Sequence, residues 1–216
     1  LGKPVTNAVR LKIQELLLEG SSLFHDEKTI EECFYDLDKV QMMMPLHVQN
    51  YTDFYSSIEH ATNVGKMFRD PANALLPNWK HLPVGYHGRA SSIVVSGINF
   101  HRPKGQMKPA DAEKPIFGAS KQLDFELEMA FVLNKNTEIG ESISTQEAED
   151  AIFGMVIFND WSARDIQSWE YVPLGPFLGK NFCSSISPWV VTLEALEPFR
   201  TASPKQEPEV LDYLKF

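Results

Sequence analysis

The sequence predicts a mixed α/β fold that is mainly β. From residue 42 onward, Pro, Gly, Asn and aromatic residues become frequent, and short apolar runs alternate with loops. Such runs bounded by turn residues are typical of strands. The first forty residues instead carry apolar residues at helical spacing. Because 43% of residues are hydrophobic and 23% are charged, as in ordinary globular proteins, we expect a packed core.

The first predicted element is a helix near the start of the chain. Val9, Ile13, Leu16 and Leu17 recur at helical spacing, and Gly20 is typical of a helix end. Together with the helix predicted next along the chain, it could cap a preceding domain.

Two short helices are predicted from capping boxes, in which a Ser or Thr precedes a Glu by three residues. Thr29 and Glu32 predict a helix that begins at Thr29. Ser144 and Glu147 predict a second one over residues 144–151.

The strands are predicted from β-branched and apolar runs. They cover residues 92–97, 124–133 and 153–158, and a further strand begins within residues 210–216. A polar turn is predicted at Asn159 and Asp160, and a polar connection that contains Pro covers residues 202–209.

Charge and cysteine content exclude several classes of protein. The net charge is −9 and no basic face is visible, so we expect no nucleic-acid partner. Cys33 and Cys183 are too few for a disulfide framework. The apolar runs are too short to span a bilayer, and the start carries no secretory signal, so we expect no membrane partner and a cytoplasmic location. Because the first residue is Leu1 rather than Met, we expect the natural N-terminus to lie upstream.

The strongest local pattern is a strand with acids on one face. Asp124, Glu126 and Glu128 alternate with apolar residues, so the three carboxylates should share one side. Like charges at about 5–7 Å repel by roughly 2–3 kcal/mol per pair, and a divalent cation would turn that repulsion into attraction. The alternative is a half-exposed strand whose acids face water.

A second pattern places an acid at the end of an apolar strand. Asp160, Arg164, Gln167 and Tyr171 are spaced by four, three and four residues, which is one face of a helix if the segment is helical. Together they could grip a carboxylate or a developing oxyanion. Alternatively, Asp160 caps a helix with ordinary surface residues after it.

Residues 53–60 contain a candidate general base. His60 is suited to this role because imidazole titrates near neutrality. His81, His87 and His101 have no better claim by spacing, and one histidine chosen blindly is more often structural.

Residues 85–92 are rich in Gly but lack the spacing of a nucleotide-binding loop. A turn into the next strand is the simpler interpretation, with Tyr86 available to a ligand. Arg69 could pair with a substrate carboxylate, although a solvated surface position is the ordinary interpretation of a single Arg.

Taken together, these segments resemble the fumarylacetoacetase family. The matching stretches are residues 53–69, 75–97, 126–131 and 159–180, within a dense resemblance over about residues 45–200. Runs of this length are more specific than any short motif.

The resemblance implies a fold and a position within it. Residues 1–45 would be the helical tail of an N-terminal SH3-like domain with its linker, and residues 46–216 part of a catalytic mixed β-roll. An acid that orients the catalytic histidine and a substrate-binding Thr would lie beyond Phe216. We therefore expect residues 1–216 to be inactive or unstable by themselves.

The resemblance also implies the roles of the candidate residues. The metal ligands would be Asp53, Glu126, Glu128 and Asp160 for Ca²⁺ or Mg²⁺, with Lys180 and Ser184 at a further Mg²⁺ position where Thr is usual in place of Ser. The catalytic residues would be His60, which activates water, and Arg164, Gln167 and Lys180, which stabilise negative charge. The substrate contacts would be Tyr55, Arg69, Tyr86, Gln167 and Tyr171.

The implied activity is hydrolysis of a carbon–carbon bond in a diketo acid. Fumarylacetoacetate would give fumarate and acetoacetate, in the breakdown of tyrosine and phenylalanine, and the full-length protein would be a homodimer. Two alternatives stay open. One is an acylpyruvate hydrolase or related decarboxylase of the same superfamily, and the other is a non-catalytic product that only binds metal.

Overall fold

The computed structural model describes residues 2–215. The mixed α/β class is confirmed. The α-helices are α1 (Lys3–Leu17), α2 (Glu27–Cys33), α3 (Ile58–Phe68), α4 (Thr145–Ala148), α5 (Arg164–Glu170) and α6 (Leu193–Leu196). Turns of 3-10 helix lie at Ser22–His25, Leu37–Lys39, Pro71–Asn73, Pro77–Lys80, Ala90–Ser92, Glu149–Ala151, Glu197–Phe199 and Asp212–Leu214. In this part of the chain, no helix has both the length and the apolar composition needed to cross a membrane.

The strands are short, with two exceptions. They are β1 (Thr52–Phe54), β2 (Gly85–His87), β3 (Ile93–Val95), β4 (Lys104–Met107), β5 (Ile116–Ala119), β6 (Leu123–Asp124), β7 (Leu127–Leu133), β8 (Ile152–Asp160), β9 (Ser162–Ala163), β10 (Ser184–Ile186) and β11 (Val191–Thr192). The two longest, β7 and β8, pair with each other.

The described chain forms two compact units. The first comprises residues 2–43, 131–156 and 189–200, and the second comprises residues 44–130, 157–188 and 201–215. In the first unit, β11 pairs antiparallel with the beginning of β8, where Val191 lies opposite Met155. The predicted helix α1 is confirmed, with Pro4 in its first turn and Gly20 at a φ of 80° after its end.

The strand pairs of the second unit place polar residues side by side. Strands β1 and β2 are antiparallel, with Asp53 opposite Tyr86. Strand β10 lies between β3, to which it is parallel, and the end of β8, to which it is antiparallel. Ser184 on β10 is therefore opposite Asp160 on β8.

The same unit contains two further strand pairs and a small apolar core. Strand β4 pairs with β5, and β6 pairs with β9. Met107, Ala163 and Ile166 are buried together, and Phe182 packs against them. This cluster fixes the start of α5 against β4, since Ile166 belongs to α5 and Met107 to β4.

One predicted helix start is wrong. Helix α2 begins at Glu27, and Asp26 caps it by accepting a hydrogen bond from the Thr29 N–H at 3.2 Å. Asp is at least as good a capping residue as Thr, so the earlier carboxylate caps the helix. The predicted capping box of Ser144 and Glu147 is confirmed at α4.

Three strand predictions need correction. The strand expected over residues 124–133 is interrupted between β6 and β7. The polar turn expected at Asn159 and Asp160 is instead the end of β8, because both residues pair with β10. Residues 210–215 contain a 3-10 turn rather than a strand, closed by the Leu214 N–H on the Leu211 carbonyl at 2.8 Å. Phe216, the last residue of that predicted strand, lies outside the described residues.

Candidate metal centre

Four carboxylates converge in the second unit. Asp53, Glu126, Glu128 and Asp160 each offer one oxygen, and these four oxygens lie within 4.8 Å of one another. Glu126 and Asp160 are buried, whereas Glu128 and Asp53 are partly buried. The four acids that the resemblance implied as metal ligands are therefore neighbours in space.

Backbone contacts explain how the interrupted strand delivers Glu126 to this cluster. The Glu126 N–H donates to Asn159 Oδ1 at 3.1 Å, and the Asp160 N–H donates to the Glu126 carbonyl at 3.2 Å. These two bonds hold the bend between β6 and β7 against the end of β8. They also satisfy backbone groups that the interruption would otherwise leave unpaired.

Two buried cations partly balance the acids. The Lys180 ammonium contacts Glu126 and lies 2.9 Å from Asp160 Oδ2. The Arg164 guanidinium lies 2.7 Å from Glu126 Oε1. Within residues 2–215, ion pairs reach only these two members of the four. If all four carboxylates were ionised, as around a bound cation, the two neighbouring cations would leave an excess of two negative charges.

Three hydroxyl groups donate to the same acids. Tyr86 donates to Asp160 Oδ2 at 2.6 Å, and Ser184 donates to Asp160 Oδ1 at 2.8 Å. Tyr51 donates to Asp53 Oδ2 at 3.1 Å. Tyr51 was missed from the sequence, although it precedes Asp53 by two residues, the spacing that puts side chains on one side of an extended segment.

Burial and the neighbouring acids raise the pKa values of Asp53 and Glu128. Burial, followed by the charge of Asp160, raises the pKa of Asp53 to about 6. Burial and the neighbouring charges of Asp53 and Asp160 raise the pKa of Glu128 to about 9. Both groups therefore resist carrying their charge beside other acids.

Glu126 shows the opposite behaviour. Burial raises its pKa, but the hydrogen bond with His60 and the charges of Lys180 and Arg164 outweigh burial, so the pKa of Glu126 falls well below its usual range. Glu126 is thus a stable anion at the centre of the cluster.

The donor set fits a hard divalent cation. Carboxylate oxygens are the ligands that Ca²⁺ and Mg²⁺ prefer, and four of them are available here. A charge of two would balance the ionised cluster and oppose the effects of burial and of neighbouring acids that raise the pKa of Asp53 and Glu128. These four residues could therefore hold the metal.

His60 lies at the edge of the cluster, in the first turn of α3. Ser57 caps this helix by accepting from the His60 N–H at 3.2 Å. The imidazole Nε2 lies 3.5 Å from Glu126 Oε1, and the ring meets Tyr55 edge-on with 5.7 Å between centroids. Its side chain is 36% exposed, so the imidazole is held beside the acids and still reaches water.

Arg164 connects three side chains at the start of α5. Besides Glu126, it donates to Asp124 Oδ2 at 2.9 Å and to Gln167 Oε1 at 3.0 Å. Asp124 was expected to share one face with Glu126 and Glu128, and this prediction is wrong. The bend after β6 turns Asp124 toward Arg164, so Asp124 is not one of the four clustered acids.

The other predicted substrate contacts have partners outside the four acids. Arg69 donates to the Ala74 carbonyl at 2.6 Å and is partly buried rather than a solvated surface residue. The Tyr55 hydroxyl donates to the Ala61 carbonyl at 2.9 Å. Tyr171 stacks near Phe68 with ring centroids 5.4 Å apart.

The carboxylate cluster and the histidine beside it form a candidate site for a divalent cation. The chain belongs to the fumarylacetoacetate hydrolase C-terminal family, which it matches over residues 49–205. The family resemblance seen in the sequence is thereby confirmed.

Within that family, the chain is similar to curated fumarylacetoacetases of several organisms. The chain is 54% identical to that of Homo sapiens over 215 residues, and 56% identical to that of Dictyostelium discoideum over 218 residues. These alignments cover 99% and 100% of this chain and 51% of each relative, so the chain spans about half the length of the curated relatives it matches. A solved fumarylacetoacetate hydrolase from Exiguobacterium antarcticum is 22% identical with a TM-score of 0.42, over 75% of this chain and 52% of the other.

Proposed function

We propose that the full-length protein hydrolyses fumarylacetoacetate to fumarate and acetoacetate. The observation that carries this proposal is the cluster of four acids, which two buried cations balance only in part, next to a water-accessible imidazole. Identity of more than half over nearly the whole chain to proteins named fumarylacetoacetase supports the choice of substrate.

The metal would be Ca²⁺ or Mg²⁺, held by Asp53, Glu126, Glu128 and Asp160. When bound, such an ion supplies a Lewis acid that stabilises negative charge on the diketone oxygens. Lys180 and Ser184, next to Asp160, are the proposed position of a further Mg²⁺. Lys180 would contribute its carbonyl oxygen there, because its ammonium repels cations.

His60 would act as the general base. Its imidazole takes a proton from water, and the resulting hydroxide attacks the ketone carbon of the fumaryl group, which becomes the new carboxylate of fumarate. The bond from that carbon to the acetoacetate carbon then breaks, and the leaving carbanion takes up a proton. One water molecule is consumed, and fumarate and acetoacetate are formed.

The neighbouring side chains would stabilise charge and hold the substrate. Arg164, Gln167 and Lys180 would donate hydrogen bonds where negative charge grows, since buried donors stabilise such charge strongly. Arg69 would bind a terminal carboxylate. The remaining proposed substrate contacts are the hydroxyl groups of Tyr55, Tyr86 and Tyr171 and the amide of Gln167.

The proposal extends to the setting of the protein. The partner is a small diketo acid, with no nucleic acid and no membrane, and the full-length protein is a cytoplasmic homodimer. An acylpyruvate hydrolase would share the acid cluster, so turnover of fumarylacetoacetate and of an acylpyruvate are compared in the full-length protein. Faster turnover of the acylpyruvate would overturn the substrate assignment.

The metal and base assignments are tested by separating binding from chemistry. Asp160→Ala, and the size-matched Asp160→Asn, should abolish Ca²⁺ binding, because Asp160 is a central acid of the cluster. His60→Ala should leave Ca²⁺ affinity nearly unchanged and reduce kcat by a factor of about 100 or more. Calorimetric titration measures binding, and steady-state kinetics of the full-length protein measure kcat.

The matched control is His101→Ala, at an exposed position of the same unit. It should change neither quantity. Unchanged Ca²⁺ affinity in both Asp160 variants would overturn the metal assignment, and full turnover in His60→Ala would overturn the assignment of the base.

A further inference from the structure

Helix α5 ends in a carboxylate that binds the backbone of the loop after it. Glu170 accepts hydrogen bonds from three consecutive N–H groups, those of Phe177 at 2.8 Å, Leu178 at 3.0 Å and Gly179 at 2.7 Å. Hydrogen bonds to an ionised acceptor are roughly twice as strong as neutral ones. Three on one carboxylate therefore make a strong anchor for residues 177–179.

The anchored segment lies directly on the helix. The Gly179 carbonyl accepts from the Ala163 N–H at 2.8 Å, and a Cβ at Gly179 would lie 2.9 Å from the Cα of Gln167. That separation is too short for a Cβ atom, so only glycine allows the backbone to pass this close to the helix. The path of the chain is thus fixed immediately before residue 180.

The next residue enters the carboxylate cluster. Lys180 is buried, and its ammonium contacts Glu126 and lies 2.9 Å from Asp160 Oδ2. Its N–H also donates to the Phe177 carbonyl at 3.1 Å, which joins it to the anchored segment. A single peptide link therefore separates the last anchored N–H from the residue that supplies this charge.

We propose that Glu170 is a positioning residue that sets where the Lys180 ammonium sits among the four acids. Glu170 acts on the cluster through the loop and Lys180. The proposal rests on the proposed function, because it concerns the same cation site.

The position of Lys180 has a measurable effect on cation binding. Its ammonium contacts Glu126 and Asp160, two of the four acids that would hold a divalent cation, so its charge competes with the cation. If Glu170 holds Lys180 in place, loosening the anchor should weaken this competition and tighten cation binding. If Glu170 merely supports the fold, the same change should weaken binding.

A double-mutant cycle tests this with Ca²⁺ as the titrant and calorimetry as the readout. Lys180→Met should tighten Ca²⁺ binding on the order of tenfold, because one competing charge is removed. Glu170→Gln should tighten it by a smaller factor. In the double variant, Glu170→Gln should add nothing to Lys180→Met, since its effect passes through Lys180.

Two further variants keep the result interpretable. Glu170→Asp retains the charge on a shorter side chain, so its Ca²⁺ affinity should lie between that of Glu170→Gln and the weaker affinity of the wild type. Glu113→Gln, at an exposed position of the same unit, should leave it unchanged. Weaker or unchanged binding in Glu170→Gln, full additivity in the double variant, or no effect of Lys180→Met would each overturn the positioning role.

Turnover distinguishes this proposal from the proposed function. If the full-length protein does not hydrolyse fumarylacetoacetate but the coupling of Glu170 with Lys180 is present, the reaction is wrong and the positioning role holds. If the full-length protein hydrolyses fumarylacetoacetate but the coupling is absent, the reaction holds and the positioning role of Glu170 is wrong.

Discussion

Arg164 is held by Asp124 on one side and by Glu126 and Gln167 on the other. The guanidinium is buried, whereas the Asp124 side chain is 36% exposed. Removing one partner of such a pair leaves the other charge under-compensated, and partial exposure reduces the cost. Asp124→Asn should therefore lower the free energy of unfolding by about 1–2 kcal/mol, as measured by urea denaturation.

The matched control for this prediction is Asp212→Asn in the same unit. Asp212 also lies 2.9 Å from a cation, that of Lys215, but its side chain is 96% exposed. Its replacement should leave stability unchanged, because exposed ion pairs contribute little. Equal losses in the two variants would show that the contact with Arg164 is an ordinary surface pair.

For single residues, the sequence indicated which side chains could carry chemistry better than it indicated which of them lie together. Alternation correctly put Glu126 and Glu128 together, but it could not distinguish a metal cluster from acids that face water. It also placed Asp124 with them, because alternation assumes an uninterrupted strand. Nothing local in the sequence indicated Asp53 as a metal ligand, because the other three acids lie about 70 or more positions further along the chain; only the family resemblance did.

The pairing of β4 with β5 offers a test at the scale of elements. Gly105 and Gly118 lie opposite each other in this pair. A Cβ at Gly105 would lie 2.8 Å from Ile166 Cδ1, inside the core cluster, whereas a Cβ at Gly118 would meet nothing within 4 Å. Gly105→Ala should therefore destabilise the second unit by about 1–2 kcal/mol, the cost of overpacking.

Gly118→Ala is the control, since it changes the neighbouring position by the same atoms. It should be neutral or stabilise by up to about 1 kcal/mol, because Ala restricts the unfolded chain more than Gly does. Thermal melting of both variants gives the comparison. A Gly105→Ala protein as stable as Gly118→Ala would show that α5 can move away from β4 without cost.

Local signals predicted elements where one interaction decides them. Helix periodicity identified α1, and the Ser144–Glu147 box identified α4. The prediction failed where long-range pairing decides. Asn159 and Asp160 look like a turn by composition, but pairing with β10 keeps them in β8. Such pairing joins residues about 25 positions apart and leaves no local trace.

For the whole molecule, the candidate site is drawn from one of the two compact units. Residues 53–184 supply every acid, base and cation described for it, and all of these belong to the second unit. Composition predicted an acidic chain, and the cluster accounts for part of that excess. Because these acids lie close together and are partly or fully buried, their charge affects the stability of the folded protein.

The cluster should make stability depend on pH in opposite ways without and with cation. Asp53 and Glu128 have pKa values of about 6 and 9, above their ordinary 3.8 and 4.5. A carboxyl group whose pKa is raised by folding stabilises the protein while protonated, and that stability is lost as pH rises through the raised pKa. Without cation, the free energy of unfolding should therefore fall from about pH 4, where the unfolded chain loses these protons, to about pH 9, where folded Glu128 loses its own.

Saturating Ca²⁺ should remove or reverse this fall, because the ionised carboxylates then gain a bound partner whose binding stabilises the folded state. Urea denaturation across this pH range, with EDTA or with Ca²⁺, measures both slopes. Glu128→Gln should be more stable than the wild type at pH 8 with EDTA and should gain less from Ca²⁺. Glu113→Gln, outside the cluster, should follow the wild type. Parallel pH profiles with EDTA and with Ca²⁺ would show that the four acids do not share a cation.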